Sequence, residues 1–380
     1  MLLPILFAAA LAQTPTAVDP ANAETSTTAE PDTTAAPDGT AAPQGQPVPD
    51  EPTDSDPPPP EAAPPEPTVG ELELVWAKQD PEDVLIEARI RIDTRDFAGA
   101  DARLSLLART TDAPIVWFER GRSLELQERC REALAAYELA GQKATELALQ
   151  RDITYRSAIC LNDLQRHDEA RTQMRLLAAD TTLDPAAVPV VELELGIAEA
   201  GLGKRKGSRR IAAVIEQLGT GSTDHAAWAR SRARFMLTRL SLDEAADIPL
   251  QGNKRAARNL LKRAEALKAA EQQVVAIAKT GEPEYALAGI LALGDAYLEL
   301  HDDFLAAPPP RKLDSEQADL YRQEIASRAA VLRDKAFRFY DEGVQFAARV
   351  QWHGGVTERL RSRRDSLQAP SGAAHEAAGS

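Results

Sequence analysis

The residue types that most often carry out chemistry are sparse and scattered in this chain. Its five histidines lie far apart in sequence, and no two of them have the spacing of a metal-ligand pair. The one acid–histidine cluster is His301-Asp302-Asp303, which we expect near a helix C-terminus, where histidine is electrostatically favoured. No nucleophile accompanies it. We therefore predict a protein without enzymatic activity, metal, cofactor or small-molecule substrate.

One glycine-containing segment partly matches a phosphate-binding loop. It runs from Gly201 to Ser208, but it lacks a lysine after Gly207 and follows a predicted helix instead of a strand, so we reject a nucleotide site. Its Lys and Arg side chains, with Arg209 and Arg210, form the one basic patch that we identify in the sequence. Two interpretations stay open: a solvated turn between helices, or a site for an anionic peptide or envelope polymer.

Charge is distributed unevenly along the chain. The formal net charge is −15, and the 11 acidic residues that precede Pro67 account for most of it. Residues 71–380 hold all 44 basic and 48 of the 59 acidic residues, so this part gives no electrostatic reason to bind nucleic acid. Its richness in Ala, Leu, Glu and Arg predicts an all-α fold.

The first 12 residues have the pattern of a signal peptide. They form an apolar run that ends in Ala10-Leu11-Ala12, a small-x-small cleavage pattern, and the run is too short to span a bilayer. The segment has no Lys or Arg, so a frayed apolar N-terminus is the alternative interpretation. We expect export to the periplasm or outer envelope, without a transmembrane segment.

Residues 13–70 differ sharply in composition from the rest. Pro, Ala, Thr, Asp and Glu dominate, and few large apolar side chains are present to offset the entropy of ordering. We expect a disordered acidic linker, which serves either as a spacer or as a docking tail for a basic partner. Residues 369–380 are expected to form a disordered C-terminal tail.

The clearest structural signal lies between Ile115 and Ala140, which reads as two short helices with complementary apolar stripes. Trp117, Gly121 and Leu124 mark the first stripe, and Ala133, Tyr137 and Ala140 mark the second. The small residues would let the two backbones approach closely while the aromatic rings fill the remaining gaps. This pattern resembles the tetratricopeptide repeat (TPR), a helix–turn–helix unit of about 34 residues that needs stacked neighbours to bury its apolar faces.

The same register extends in both directions from this unit. An upstream unit is centred on Ala88 and Ala100, and a third on Ala158 and Ala170. A degenerate fourth places Ser208 at the small crossing position. We therefore predict a TPR-like α-solenoid, a right-handed superhelix of helix pairs, over residues 71–220. A C-terminal helical extension with one very long helix follows over 221–368, in which the helix that starts near Asp224 is expected to end near Leu240.

The stretch from Gly281 to Leu367 shows a narrower resemblance. Its segments EPEYALAGILALGDAYLEL, DDFLAAPPP, LYRQEI and VLRDKAFRFYDEG follow the order found in envelope TPR proteins of gliding and predatory, myxobacteria-like bacteria. That likeness implies a scaffold in an envelope-assembly or motility complex. It covers about a quarter of the chain.

The TPR resemblance also implies where a partner would bind and where the two cysteines lie. TPR proteins bind partners on the concave face of their first helices, so peptides or proteins of the envelope would meet a set of mixed apolar and arginine side chains: Leu85, Arg89, Phe118, Arg122, Tyr155, Arg156 and Ile159. Some of these apolar residues could instead pack internally. The register places Cys130 and Cys160 together between the second and third units, either bridged or as two buried thiols.

We therefore expect a non-enzymatic binding scaffold of the bacterial envelope. A periplasmic adaptor or holdase for outer-membrane clients is the alternative within the binding proteins. The alternative from another class is an accessory helical part of an enzyme that acts on envelope glycans, which would need paired carboxylates in a deep cleft.

Overall fold

The computed structural model describes residues 76, 78–219, 224–250, 256–309 and 313–368. Our predictions for the signal peptide, the acidic linker and the C-terminal tail lie outside these residues. Within them the chain is entirely helical, with thirteen helices and no strand. The helices are α1 Pro81–Asp93, α2 Phe97–Thr110, α3 Pro114–Leu126, α4 Cys130–Lys143, α5 Leu147–Asp163, α6 His167–Ala178, α7 Val188–Gly201, α8 Arg205–Leu218, α9 Asp224–Ala246, α10 Ala256–Ala278, α11 Pro283–Ala306, α12 Ser315–Arg349 and α13 Gly355–Gln368.

The helices pack in sequence-adjacent pairs, each pair stacking on the next, in an arrangement consistent with an α-solenoid. From α1 to α9 the apolar core follows this order as four clusters, each shared by three successive helices, and a larger cluster joins α9 to α13. The prediction of an all-α fold built from packed helix pairs is therefore confirmed.

The turn inside each of the first four pairs has the same backbone geometry. The first helix ends with a left-handed residue, and the next amide bonds to a carbonyl five residues back, as in a Schellman motif. The left-handed residues are Arg95, Glu128, Gln165 and Gly203. Gln351 repeats this geometry between α12 and α13. Three pairs thus use a non-glycine residue where glycine would be less strained.

Close helix crossings occur where small residues meet large rings or backbone. A Cβ on Gly121 would lie only 2.5 Å from Tyr137 Cδ1, so the α3–α4 crossing needs glycine. Gly294 has the same relation to Tyr340 between α11 and α12. In the fourth pair, Gly207 is the crossing residue, where an added Cβ would lie 2.6 Å from the Gly196 carbonyl oxygen. The prediction that Ser208 fills this position is therefore wrong by one residue.

Local signals at the helix ends explain most of the boundaries. Asp80 caps α1 by accepting a hydrogen bond from the Glu82 amide at 2.9 Å, and Pro81 follows at the first helical position. Asp314 and Gln317 form a capping box at the start of α12. The α9 helix continues to Ala246, whereas we expected it to end near Leu240. Leu242 and Ala245 are buried, and Leu242 joins the C-terminal core cluster, so packing extends the helix.

Candidate partner-binding surface

Arginine–carboxylate pairs connect the first helices of successive pairs. Arg89 of α1 donates from Nε to Glu119 Oε1 of α3 at 2.7 Å, and Arg156 of α5 donates to Glu125 Oε1 of α3 at 2.8 Å. The side chains of Glu119 and Glu125 are only 5% and 8% exposed, whereas the two arginines keep 39% and 28% of their surface. At each of these two contacts between helix pairs, a buried acid is therefore paired with an arginine that solvent or a partner can reach.

Arg122 adds a second contact at the first step. It pairs with Asp93 Oδ1 at 2.5 Å and with the already paired Glu119 Oε2 at 3.3 Å. Neutralising either arginine would leave Glu119 with less compensation in a buried position. These arginines therefore position the helix pairs as well as present charge.

The seven residues predicted for partner binding divide into two groups in the structure. Leu85, Phe118 and Ile159 are buried, with Phe118 packed against Tyr137 at a ring-centroid distance of 5.9 Å. The three arginines and Tyr155 remain partly exposed. Whether any of the seven contacts a partner stays a prediction, but the three buried apolar side chains belong to the packing between helices.

Trp117 and Phe118 have exchanged the roles that we expected from the sequence. Phe118 is the buried ring beside the Gly121–Tyr137 crossing, whereas Trp117 is half-buried and Arg120 lies 5.7 Å from its ring centroid. Both side chains are apolar and lie one residue apart on α3. The identity of the core aromatic therefore depended on a rotation of α3 that the repeat pattern could not fix.

The series of ion pairs continues into a buried network centred on Arg232 of α9. Its Nε donates to Glu194 Oε1 of α7 at 2.6 Å, and its Nη2 donates to Asp163 Oδ1 of α5 at 3.1 Å. Glu194 is fully buried and also accepts from Asn162 Nδ2 at 2.9 Å. Three helices from three different pairs thus meet at one guanidinium group.

Next to this network, Tyr155 of α5 has a buried hydroxyl without a hydrogen-bond partner among the described residues. Burial and the nearby charge of Glu194 raise the pKa of Tyr155, so its hydroxyl stays protonated.

The turns of the first two pairs contact the C-terminal helices. The Arg95 guanidinium lies 3.4 Å from the ring centroid of Trp352, a cation–π contact. Glu128 accepts a hydrogen bond from the Val356 amide at 3.1 Å and pairs with Arg359 at 2.6 Å. The helix series therefore curves until its two ends touch, and the two left-handed turn residues make the contact.

We call the side of the helix series that faces the inside of this curve the inner face. Two accessible carboxylates assigned to it, Glu284 and Asp152, are partly desolvated. Burial raises the pKa of Glu284, at the start of α11, to about 7, although its side chain is 38% exposed and lies 3.7 Å from Arg95. Burial likewise raises the pKa of Asp152, which is exposed on α5. Burial and the charge of Arg156 lower the pKa of His225. Glu284 lies beside the Arg95 contact that joins the two ends, so we identify the inner face as the candidate site.

The basic patch forms where the sequence predicted it. Glu199 of α7 is 1% exposed, and Lys206 Nζ lies 2.6 Å from its Oε1. Arg210 Nε lies 3.4 Å from Oε2, and Arg175 of α6 approaches Oε1 to 3.8 Å. The patch is therefore anchored on a buried carboxylate and spans three helices.

The last chemical candidate from the sequence is the acid–histidine cluster at His301. His301 lies in the last turns of α11 with Nδ1 2.8 Å from Asp302 Oδ1. Across the described ranges, no group of three or more His, Cys, Asp or Glu side chains could hold a metal ion.

The two cysteines lie together, as the repeat register predicted. Both are buried, free and part of one core cluster between α3, α4 and α5. A hydrogen bond with Cys130, reinforced by burial, raises the pKa of the Cys160 thiol. A disulfide between them stays a prediction.

Sequence reasoning missed Arg95, Glu128, Glu284 and Trp352, which close the inner face. Their partners are too distant in sequence for a local pattern to reveal them, and a left-handed conformation at Arg95 or Glu128 has no residue signature. Only the recurring helix-pair spacing indicated that Arg95 and Glu128 lie in turns between helices.

No family model matches this chain, and a search of curated proteins finds no similar sequence. In the part of the chain that the structure covers, none of the helices is both long and apolar enough to cross a membrane.

Proposed function

We propose that this protein is a non-enzymatic scaffold of the bacterial envelope that binds peptides or proteins on the inner face of a TPR-like, right-handed superhelix. The supporting observation is the row of partly exposed arginines paired along the first helices, together with two accessible carboxylates, Asp152 on α5 and Glu284 beside Arg95. Mixed charged and aromatic surfaces of this kind suit protein partners more than small apolar ligands.

The export of the chain and its place in an assembly or motility complex belong to the same proposal. Their support is the signal-peptide pattern of residues 1–12 and the resemblance of the C-terminal stretch to envelope TPR proteins.

Asp152 and Glu284 are the residues with which to test the inner face. Both are accessible, and their isosteric neutralisation removes charge at the cost of one long ion pair, Arg95–Glu284 at 3.7 Å, while the contact of Arg95 with Trp352 is kept. Affinity capture from the envelope of the native host would compare the wild type with the double variant Asp152→Asn/Glu284→Gln. We expect at least one partner to be depleted about tenfold, which corresponds to a loss of ~1.4 kcal/mol.

The matched control is Glu138→Gln/Asp334→Asn, which neutralises one Glu and one Asp at exposed positions on α4 and α12. The control should retain every partner. If both double variants capture the same proteins in the same amounts as the wild type, the inner face is not the binding surface.

A further inference from the structure

The basic patch contains more positive charge than its acidic neighbours can balance. Three cations, Arg175, Lys206 and Arg210, surround the single buried carboxylate of Glu199, and Arg210 also pairs with Glu192. Arg175 and Lys206 keep 55% and 53% of their side-chain surface exposed. Because Glu199 already orders these three side chains, binding an anion costs less side-chain entropy than it would with free cations.

The start of α8 increases this positive charge. Lys204 is its N-cap without a side-chain cap, no acidic residue lies in the first turn, and Arg205 and Arg209 are exposed. The N-terminal end of a helix is itself electropositive, so cations there are unfavourable and an anion would be stabilised. An acidic ligand at this surface would reduce the repulsion between these cations and the electropositive N-terminal end of α8.

The same chain carries a segment of complementary charge. Residues 50–66 hold six acidic side chains and no lysine or arginine: Asp50, Glu51, Asp54, Asp56, Glu61 and Glu66. Seven prolines in this segment favour extended conformations, which expose side chains along a strip. The segment lies outside the described residues and precedes α1.

The length of chain permits contact within one molecule. The tether ends at Trp76, whose ring is buried against the first helix pair, so about 15 residues separate it from Glu61 and span up to ~50 Å when extended. Moving from the first helix pair to the fourth takes three interpair steps of about 10 Å each. The acidic segment can therefore reach the patch while α1 stays in place, and attachment gives it an effective concentration up to the millimolar range.

We infer that residues 50–66 dock in cis on the surface formed by Arg175, Lys204, Arg205, Lys206, Arg209 and Arg210. The contact is electrostatic and lies on α6 and α8, apart from the inner face, so it goes beyond the proposed function. It shields the patch from other anions, and high salt releases it because the Debye length falls to ~3 Å at 1 M.

Carbodiimide crosslinking of the full-length protein tests this contact directly. The reagent joins carboxylates to lysine amines in contact, so we expect crosslinks from residues 50–66 to Lys204 and Lys206, located by peptide mass spectrometry. Their yield should fall at least about fivefold in ~1 M salt. Lys262, exposed on α10, gives the yield of random encounters.

Charge variants then separate the patch from general charge effects. Arg205→Gln/Arg209→Gln should lower the Lys204 crosslink about fivefold, since it removes two of the exposed cations. The control, Arg131→Gln/Arg361→Gln, removes two exposed arginines from α4 and α13 and should leave the crosslink unchanged. Both variants keep Lys204, Lys206 and the Glu199 contacts, so folding is preserved.

A mixture of isotopically light and heavy protein identifies the molecule that supplies the segment. Docking in cis gives crosslinked peptides of purely light or purely heavy composition, whereas mixed pairs would overturn it. Equal crosslinking to Lys204 and Lys262, or insensitivity to salt, would also overturn the inference. These results are independent of partner capture on the inner face.

Discussion

A single glycine sets the distance between α3 and α4. Gly121 faces the ring of Tyr137, and the Tyr137 hydroxyl donates to Glu125 Oε2 at 2.5 Å, so the ring is held from both sides. The residue pattern alone predicted this crossing, because a small residue and a large ring recur at complementary positions on the two helices. It could not decide between Trp117 and Phe118 as the neighbouring core aromatic.

Gly121→Ala should destabilise the protein by about 1–3 kcal/mol, because the new methyl group overpacks against Tyr137. Thermal unfolding would measure the change. Gly141→Ala on α4 is the control, since the nearest atom to its added Cβ is Ile153 Cγ2 at 3.8 Å. Alanine there should stabilise the helix by ~0.5–1 kcal/mol. Equal effects of the two substitutions would contradict the close crossing.

The paired thiols allow a second prediction at this scale. Oxidation should join Cys130 to Cys160 within one molecule and stabilise it by ~3–4 kcal/mol, as expected for a loop of about 30 residues. Before oxidation, both thiols should resist alkylation in the folded protein, since both are buried and the pKa of the Cys160 thiol is raised. Thiol counting in denatured, unreduced protein from the envelope measures the bridge. Two free thiols per chain would argue against it.

At the scale of elements, the helices and their pairing followed from periodicity, caps and breakers. The very long helix predicted for the C-terminal extension is α12, which runs from Ser315 to Arg349, because Asp314 caps one end and the apolar stripe ends near the other. The pattern could not show that Arg232, Glu194 and Asp163 meet. A charged residue on a predicted helix is more often solvated, so nothing in the pattern indicated that these side chains are buried.

Glu194→Gln should destabilise the protein by about 3–5 kcal/mol, because it leaves the Arg232 guanidinium in a buried position with a reduced countercharge. Denaturant unfolding monitored by circular dichroism would measure this loss. Glu132→Gln, which removes an exposed pair with Arg129, should leave the unfolding midpoint almost unchanged. A small effect at Glu194 would mean that Asp163 alone suffices to balance the arginine.

At the scale of the whole molecule, the pKa of Glu284 couples stability to pH. The folded state raises this pKa to about 7, so the folded protein binds a proton more tightly than the unfolded chain does. Stability should therefore fall as pH rises from the ordinary glutamate range through about 7. Glu284→Gln should flatten this part of the melting temperature profile, and Glu138→Gln should not. An unchanged slope in Glu284→Gln would refute the assignment.

Sequence patterns could not predict the contact between the turn at Glu128 and α13, because its partners lie 228 residues apart. Breaking this contact tests whether the two ends of the helix series meet. Glu128→Ala should increase hydrogen exchange at Val356 and along α13, since it removes the acceptor of that amide and the partner of Arg359. Gln165→Ala is matched to it, because Gln165 occupies the same left-handed turn position in the next pair. If both variants exchange alike, backbone strain and not the contact accounts for the change.

The meeting of the two ends also bears on how the chain matures during synthesis. Glu128 leaves the ribosome 228 residues before Val356 does, so the early helix pairs stack while their final contact does not yet exist. In an open repeat array each pair depends only on its neighbours, and either end can fray alone. In this protein α13 supplies the partners of Glu128, in the turn of the second helix pair. A chain truncated after α12 would therefore lose contacts near its N-terminal end as well as at the site of truncation.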